Sequence, residues 1–135
     1  MAQIEAKVLE SVNRPGRVGV LATANAQGMP NAAYFGTPQL LADGTLLMGL
    51  MANRSLANLE QNPQAVFFVV EEAPVAFTTP GYRLYLKVKQ IDKAGELLTN
   101  LRQAVAAKAG QQTADDMQAA VLFEVTEVRS LMAPA

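Results

Sequence analysis

Asp43-Gly44, set between the apolar runs Gln39 to Ala42 and Thr45 to Met51, restricts the fold more than any other feature of the chain. An Asp-Gly pair in that setting favours a tight turn whose twist matches that of two antiparallel strands. The same alternation of short apolar run and turn signal recurs on either side. Arg17 to Thr23 reads as a buried strand, Asn25-Ala26-Gln27-Gly28 as a turn, and Pro30 to Thr37 as the returning strand. Beyond the second hairpin, Ala65 to Val70 is an apolar strand. Pro74 to Gly81 reads as a loop, and Tyr82 to Ile91 alternates. In that alternation Arg83, Lys87 and Lys89 lie on one side and Tyr82, Leu84, Leu86 and Val88 on the other, with Tyr85 out of phase. Val121 to Leu131 closes the series.

Helical spacing appears in three places. Ile4, Val8, Leu9 and Val12 mark a lead-in helix over residues 1–13, stopped by Pro15-Gly16. Ser55 to Gln61 is a short helix ended by Asn62-Pro63. Leu97 to Ala109 carries Leu98, Leu101 and Val105 on one face; Gly110 to Gln112 breaks it, and one more helical turn is expected around Ala114 to Gln118. Short connections make the strands mostly antiparallel. The expected fold is therefore mainly β with flanking helices: a small antiparallel Greek-key barrel whose strands close on themselves, one domain over residues 1–135.

Composition narrows the chemistry. The chain has no His and no Cys, which excludes a Ser-His-Asp triad, a thiolate nucleophile, a Cys-ligated metal site and an axial His for haem. A formal net charge of −1 without a Lys/Arg cluster argues against nucleic acid as a partner. The longest apolar run, Leu46 to Ala52, is far short of a membrane span, and residues 1–12 lack the apolar centre of an export signal. A cytoplasmic protein is expected. Apolar residues make up 50% of the chain, which suggests that another subunit covers part of its surface. Any chemistry should come from a bound organic cofactor.

Three stretches are candidates for holding one. In Leu50-Met51-Ala52-Asn53-Arg54-Ser55-Leu56-Ala57-Asn58 a strand runs straight into a helix, whose first N–H groups lack internal partners. Arg54 and Ser55 at that end form a phosphate site, with Asn58 on the same side one turn on. The plainer reading is that Asn53 or Ser55 caps the helix and Arg54 is solvated. In Pro30 to Gly36 the small residues Ala32 and Ala33 let a flat ring approach the main chain, with Asn31 adding a contact; equally, a barrel interior calls for small residues there. Thr78 to Arg83 could cover a ligand or simply join two strands. The carboxylate pairs Glu71-Glu72 and Asp115-Asp116 point apart and read as solvated charges.

Order and spacing together give a resemblance. The hairpin RVGVLATANAQGMPNAAYFG (17–36), the hairpin and helix DGTLLMGLMANRSLANLEQNPQAVFFVV (43–70), the strand PGYRLYLKVKQI (80–91) and the strand AVLFEVTEVRSL (120–131) cover most of the chain. So arranged, it resembles the FMN-binding split-barrel proteins related to pyridoxamine 5′-phosphate oxidase, especially the short stand-alone FMN-binding members. The resemblance implies a split barrel with FMN as cofactor. It implies that Arg54, Ser55 and Asn58 hold the flavin phosphate, and that Asn31, Ala32, Ala33 and Tyr34 seat the ring. Leu50 and Met51 would lie along the ribityl chain and ring. It further implies a homodimer with the flavin at the subunit interface, where Gly81, Tyr82 and Arg83 reach the partner's cofactor. Val88 stands where family members often carry Gly, and the His/Arg set that holds the vitamin phosphate is incomplete without any His, so oxidation of vitamin B6 is not expected. What the resemblance implies is a flavin-dependent oxidoreductase acting on a small molecule, with a nicotinamide or other small-molecule electron donor. A non-catalytic FMN-binding or electron-carrier protein fits equally, and a deazaflavin or haem is a third option.

Overall fold

The computed structural model describes residues 4–134. Its elements in chain order are α1 (Ala6–Val12), β1 (Val18–Ala24), β2 (Pro30–Tyr34), β3 (Gln39–Leu40), β4 (Thr45–Leu50), α2 (Arg54–Gln61), β5 (Gln64–Val70), β6 (Gly81–Asp92), α3 (Glu96–Ala109), α4 (Gln111–Asp116) and β7 (Ala119–Ser130). Every strand and helix expected from the sequence is present, with ends shifted by a few residues. Residues 1–3 of the expected lead-in helix lie outside the described residues.

The strands form one antiparallel sheet in the order β2-β1-β5-β6-β7-β4-β3. The non-consecutive neighbours, β1 beside β5 and β4 beside β7, give the Greek-key character. Closure is where expectation and structure part. Among the described residues no ladder joins β2 to β3, so the sheet curls round a core without sealing. Two side chains from the α1–β1 connection hold the β2–β3 segment in place. The Asn13 carboxamide donates to the Leu40 carbonyl and accepts from the Leu40 N–H, both at 2.8 Å. The Arg17 guanidinium donates to the carbonyls of Gly36 (3.0 Å) and Pro38 (2.5 Å). Its half-burial pulls the Arg17 pKa below the ordinary value, opposed by the nearby Tyr34.

Alternation decides what faces inward. Leu21, Phe67, Leu84 and Phe123 are fully buried on the concave face, and Val8 and Val12 of α1 plug the same core. Each such side chain contributes roughly 1.5–3 kcal/mol by leaving water. On the convex face, the register sets Tyr34, Val20, Phe68 and Arg83 in one row across four strands. Tyr85 also keeps phase: it stands outward between Arg83 and Lys87 and opposite Val66. It looked misplaced only because an outward face was assumed to be polar. Two register shifts in the β6–β7 ladder, at Tyr85/Leu86 and Val88/Gln90, bend these long strands around the core. A Cβ at Gly81 would collide with the Val69 carbonyl oxygen, so β6 can begin that close to β5 only with glycine there.

The second core lies under α3, where Leu98 packs with Met117 and Ala120. Asp92 caps this helix: its carboxylate accepts from the N–H groups of Gly95 (2.6 Å), Leu98 (3.0 Å) and Ala94 (3.2 Å). These bonds, that from Leu98 first, hold its pKa below the usual carboxylate value. Gly110 (φ +92°) then lets the chain leave α3 and re-enter a helix at once as α4. No helix among the described residues is long and apolar enough to cross a membrane.

Candidate functional site

β4 ends at Leu50, and three residues later the chain enters α2 through Asn53, whose backbone is extended and whose side chain accepts from the Leu56 N–H at 3.0 Å. Asn53 is thus the N-cap, and Arg54 stands at the first helical position. Helical spacing splits the residues that follow. Ser55 and Asn58 turn inward and are almost completely buried, while Arg54 and Ala57 are exposed. The Asn58 amide donates to the Thr23 hydroxyl of β1 at 3.1 Å, and the Asn31 amide of β2 reaches the Ser55 hydroxyl at 3.4 Å. Thr23 and Asn31 face each other in the β1–β2 ladder, so two strands and the first turn of α2 meet in one polar cluster.

Arg54 is oddly placed for a residue serving stability alone. The helix N-terminus already carries partial positive charge, and α2 has no acidic residue in its first turn to offset it. Among the described residues Arg54 makes no ion pair or side-chain hydrogen bond, and it is exposed at the first position of the helix. β2 is the terminal strand of the sheet, so its outer row of N–H and C=O groups is also unmatched. A guanidinium, a helix N-terminus and a free strand margin are suited to an anion attached to a flat polar group.

The structure brings together only part of the expected set. Asn31, Ser55 and Asn58 meet around Thr23, whereas Arg54 stands on the exposed side of the same helix turn, with no hydrogen bond to them. Strand geometry then separates the ring-seating residues: Asn31 and Ala33 share the Thr23 face, whereas Ala32 and Tyr34 point to the other side. They can serve one ring only through the backbone margin that they share. Met51 is partly exposed beside the helix, but Leu50 is 1% exposed and its side chain belongs to the core. Gly81, Tyr82 and Arg83 lie far off. Arg83 is three ladder steps from Tyr34, about 14 Å at roughly 4.8 Å per step, and Tyr82 packs on the core. Within one chain they do not share the site.

Two participants were absent from the expected set. Thr23 could have been found as the polar residue ending the inward series Gly19, Leu21, Thr23; for Asn53 the sequence offers only a capping role. Away from this cluster, hydrogen bonds from the Thr45 hydroxyl and N–H hold the Asp43 carboxyl below its usual pKa. No group of three or more potential metal-ligating His, Cys, Asp or Glu side chains occurs among the described residues. A cleft of about 340 Å³ borders α2, but on its opposite flank, lined by Asn53, Ala57, Lys93 and Gln118 among others.

Residues 4–132 match the family model described as pyridoxamine 5′-phosphate oxidase. Among curated protein sequences, none matches this chain. Solved structures share its split-barrel fold. HupZ of Group A Streptococcus is 19% identical with a TM-score of 0.77, covering 98% of this chain and 97% of its own. An FMN-binding protein from Syntrophomonas wolfei is 17% identical with a TM-score of 0.76, covering 96% of this chain and 86% of its own. The haem storage protein HutZ from Vibrio cholerae is 20% identical with a TM-score of 0.66, covering 95% and 94%.

Proposed function

Because this chain belongs to the pyridoxamine 5′-phosphate oxidase family, we propose that it is an FMN-binding flavoprotein, a flavin-dependent oxidoreductase acting on a small molecule. The observation that carries the reading is the unpaired cation at the already positive end of α2, beside the free margin of β2. Arg54 would neutralise the phosphate, and the open N–H groups of the first turn would donate to it. The buried Thr23–Asn58 bond fixes the helix against β1, so the clasp is set before the ligand arrives. Bound flavin supplies hydride and electron transfer, while the protein supplies binding, orientation and electrostatics.

Haem suits this chain poorly, since it has no His or Cys to ligate the iron. Oxidation of the vitamin B6 phosphate ester is not part of the proposal, for want of any His to complete its phosphate site.

The reading includes a homodimer. The clasp lies open on one chain, and the convex face beside it carries Tyr34 at 63% exposure and Phe68 at 41% in a row with Val20. Apolar surface of this kind suits a second copy. A partner laid there would bring its own Gly81–Arg83 segment toward the ring, which a single chain cannot do.

The absorption spectrum of the purified protein after FMN is added in excess tests the cofactor. A bound, red-shifted flavin spectrum is expected, and a chain that takes up none ends the proposal. Stopped-flow mixing of the loaded protein with NADH or NADPH then separates enzyme from electron carrier: rapid bleaching marks a reductase, and inertness marks a carrier.

A further inference from the structure

The cleft on the far flank of α2 is not used by the flavin clasp, yet it starts at the same helix end. At 100° per residue, Ser55 and Asn58 face β1 and β2, Arg54 stands beside them, and Asn53, Ala57 and Glu60 lie round the other side. A group joined to the phosphate could therefore cross the N-terminus of α2 and enter this cleft without leaving the helix.

Its lining has a definite chemistry. Leu56 and Ala57 form an apolar floor. The Asn53 side-chain oxygen is occupied by the Leu56 N–H, which leaves its NH₂ as a donor without a partner among the described residues. Gln118 is exposed at the rim, its backbone N–H fixed on the Leu50 carbonyl at 2.8 Å. Its carboxamide offers a donor and an acceptor together. Lys93 bonds Glu60 at 2.7 Å, so the charges at the mouth cancel. An apolar floor with two amides among its lining residues, and no net charge, suits a heteroaromatic base that both donates and accepts along one edge.

We infer that this cleft takes an adenylate group, reached across the N-terminus of α2 from the phosphate clasp. The inference takes its direction from the flavin reading. The adenylate could belong to FAD in place of FMN, or to a separate nucleotide such as the nicotinamide donor.

The test uses the full chain and two variants that leave the clasp intact. Ala57→Leu fills the floor, and Gln118→Ala removes the carboxamide. FMN and FAD are titrated by flavin fluorescence, and AMP is titrated by calorimetry with and without FMN present. If the adenylate is part of the flavin, FAD binds about tenfold more tightly than FMN, a margin of one or two net hydrogen bonds, and both variants lose that margin. If it comes separately, AMP binds the FMN-loaded chain and the variants abolish this. FMN affinity stays unchanged in either case. FAD no tighter than FMN together with no binding of AMP overturns the inference, as does adenylate affinity that survives both substitutions. Failure of FMN to bind while AMP still does would instead overturn the flavin reading and leave the cleft assignment standing.

Discussion

Replacing Arg54 by alanine separates a ligand-binding role from a structural one, because the two roles predict opposite signs. Arg54 is the first residue of α2, exposed, with no acidic neighbour in its turn. A cation there opposes the helix dipole by about 0.3–1 kcal/mol, and alanine is also the better helix former. Arg54→Ala should therefore leave the melting temperature unchanged or raise it by a few degrees. Toward FMN the change should be a loss. A hydrogen bond to a charged group contributes about 1.5–3 kcal/mol, which corresponds to roughly 10- to 150-fold in Kd, with the lower part of that range favoured by solvent access. Riboflavin carries the same ring without the phosphate, so its affinity should move less than about twofold. Flavin fluorescence quenching at low and high salt reads both ligands, and the FMN margin should shrink as salt rises. Equal losses for FMN and riboflavin, or a variant that melts lower than the parent, would refute the reasoning.

Other consequences follow from the same geometry. Asn58→Ala strands the buried Thr23 hydroxyl and should cost about 1–3 kcal/mol in urea unfolding; pairing it with Thr23→Val should restore part of the loss. Asp92 and Asp43 have folded pKa values below the unfolded one, so their contribution is present above about pH 4 and is lost as pH falls through the folded values. Melting curves from pH 6 to pH 2 on Asp92→Asn should show a flatter acid limb than the parent. Phe68→Glu places a carboxylate opposite Arg83, a favourable cross-strand pair within one chain, while charging the convex face. Sedimentation should show a folded monomer with weakened FMN binding, and a dimer that persists would contradict the assigned face.

Most of the architecture was readable because strand alternation and turn chemistry are local. Asp43-Gly44 and Asn25–Gly28 mark their hairpins without knowledge of the remainder of the chain. The seam was not readable: whether β2 meets β3 depends on the accumulated curl of seven strands, and Asn13 and Arg17 reach the β2–β3 segment only once that curl exists. Arg54, Ser55 and Asn58 could be grouped because three and four residues are one helical turn. The link from Asn58 to Thr23 spans 35 positions and appears only on folding. Asn31 to Tyr34 do not form one surface, because successive strand residues point to opposite faces of the sheet. Tyr85 failed for a different reason, since polarity is a guide to the outside only where the outside meets water.

The two margins of the sheet are finished differently. At β3, Asn13 occupies both main-chain groups of Leu40, so nothing can add there by strand pairing. The margin at β2 is left bare, and bare rows of this kind recruit other polypeptides into fibrous or amorphous growth. Accessibility on that side therefore carries a hazard of self-association, greatest for freshly synthesised molecules. Whatever settles along β2 acts as a guard against precipitation in addition to any other task.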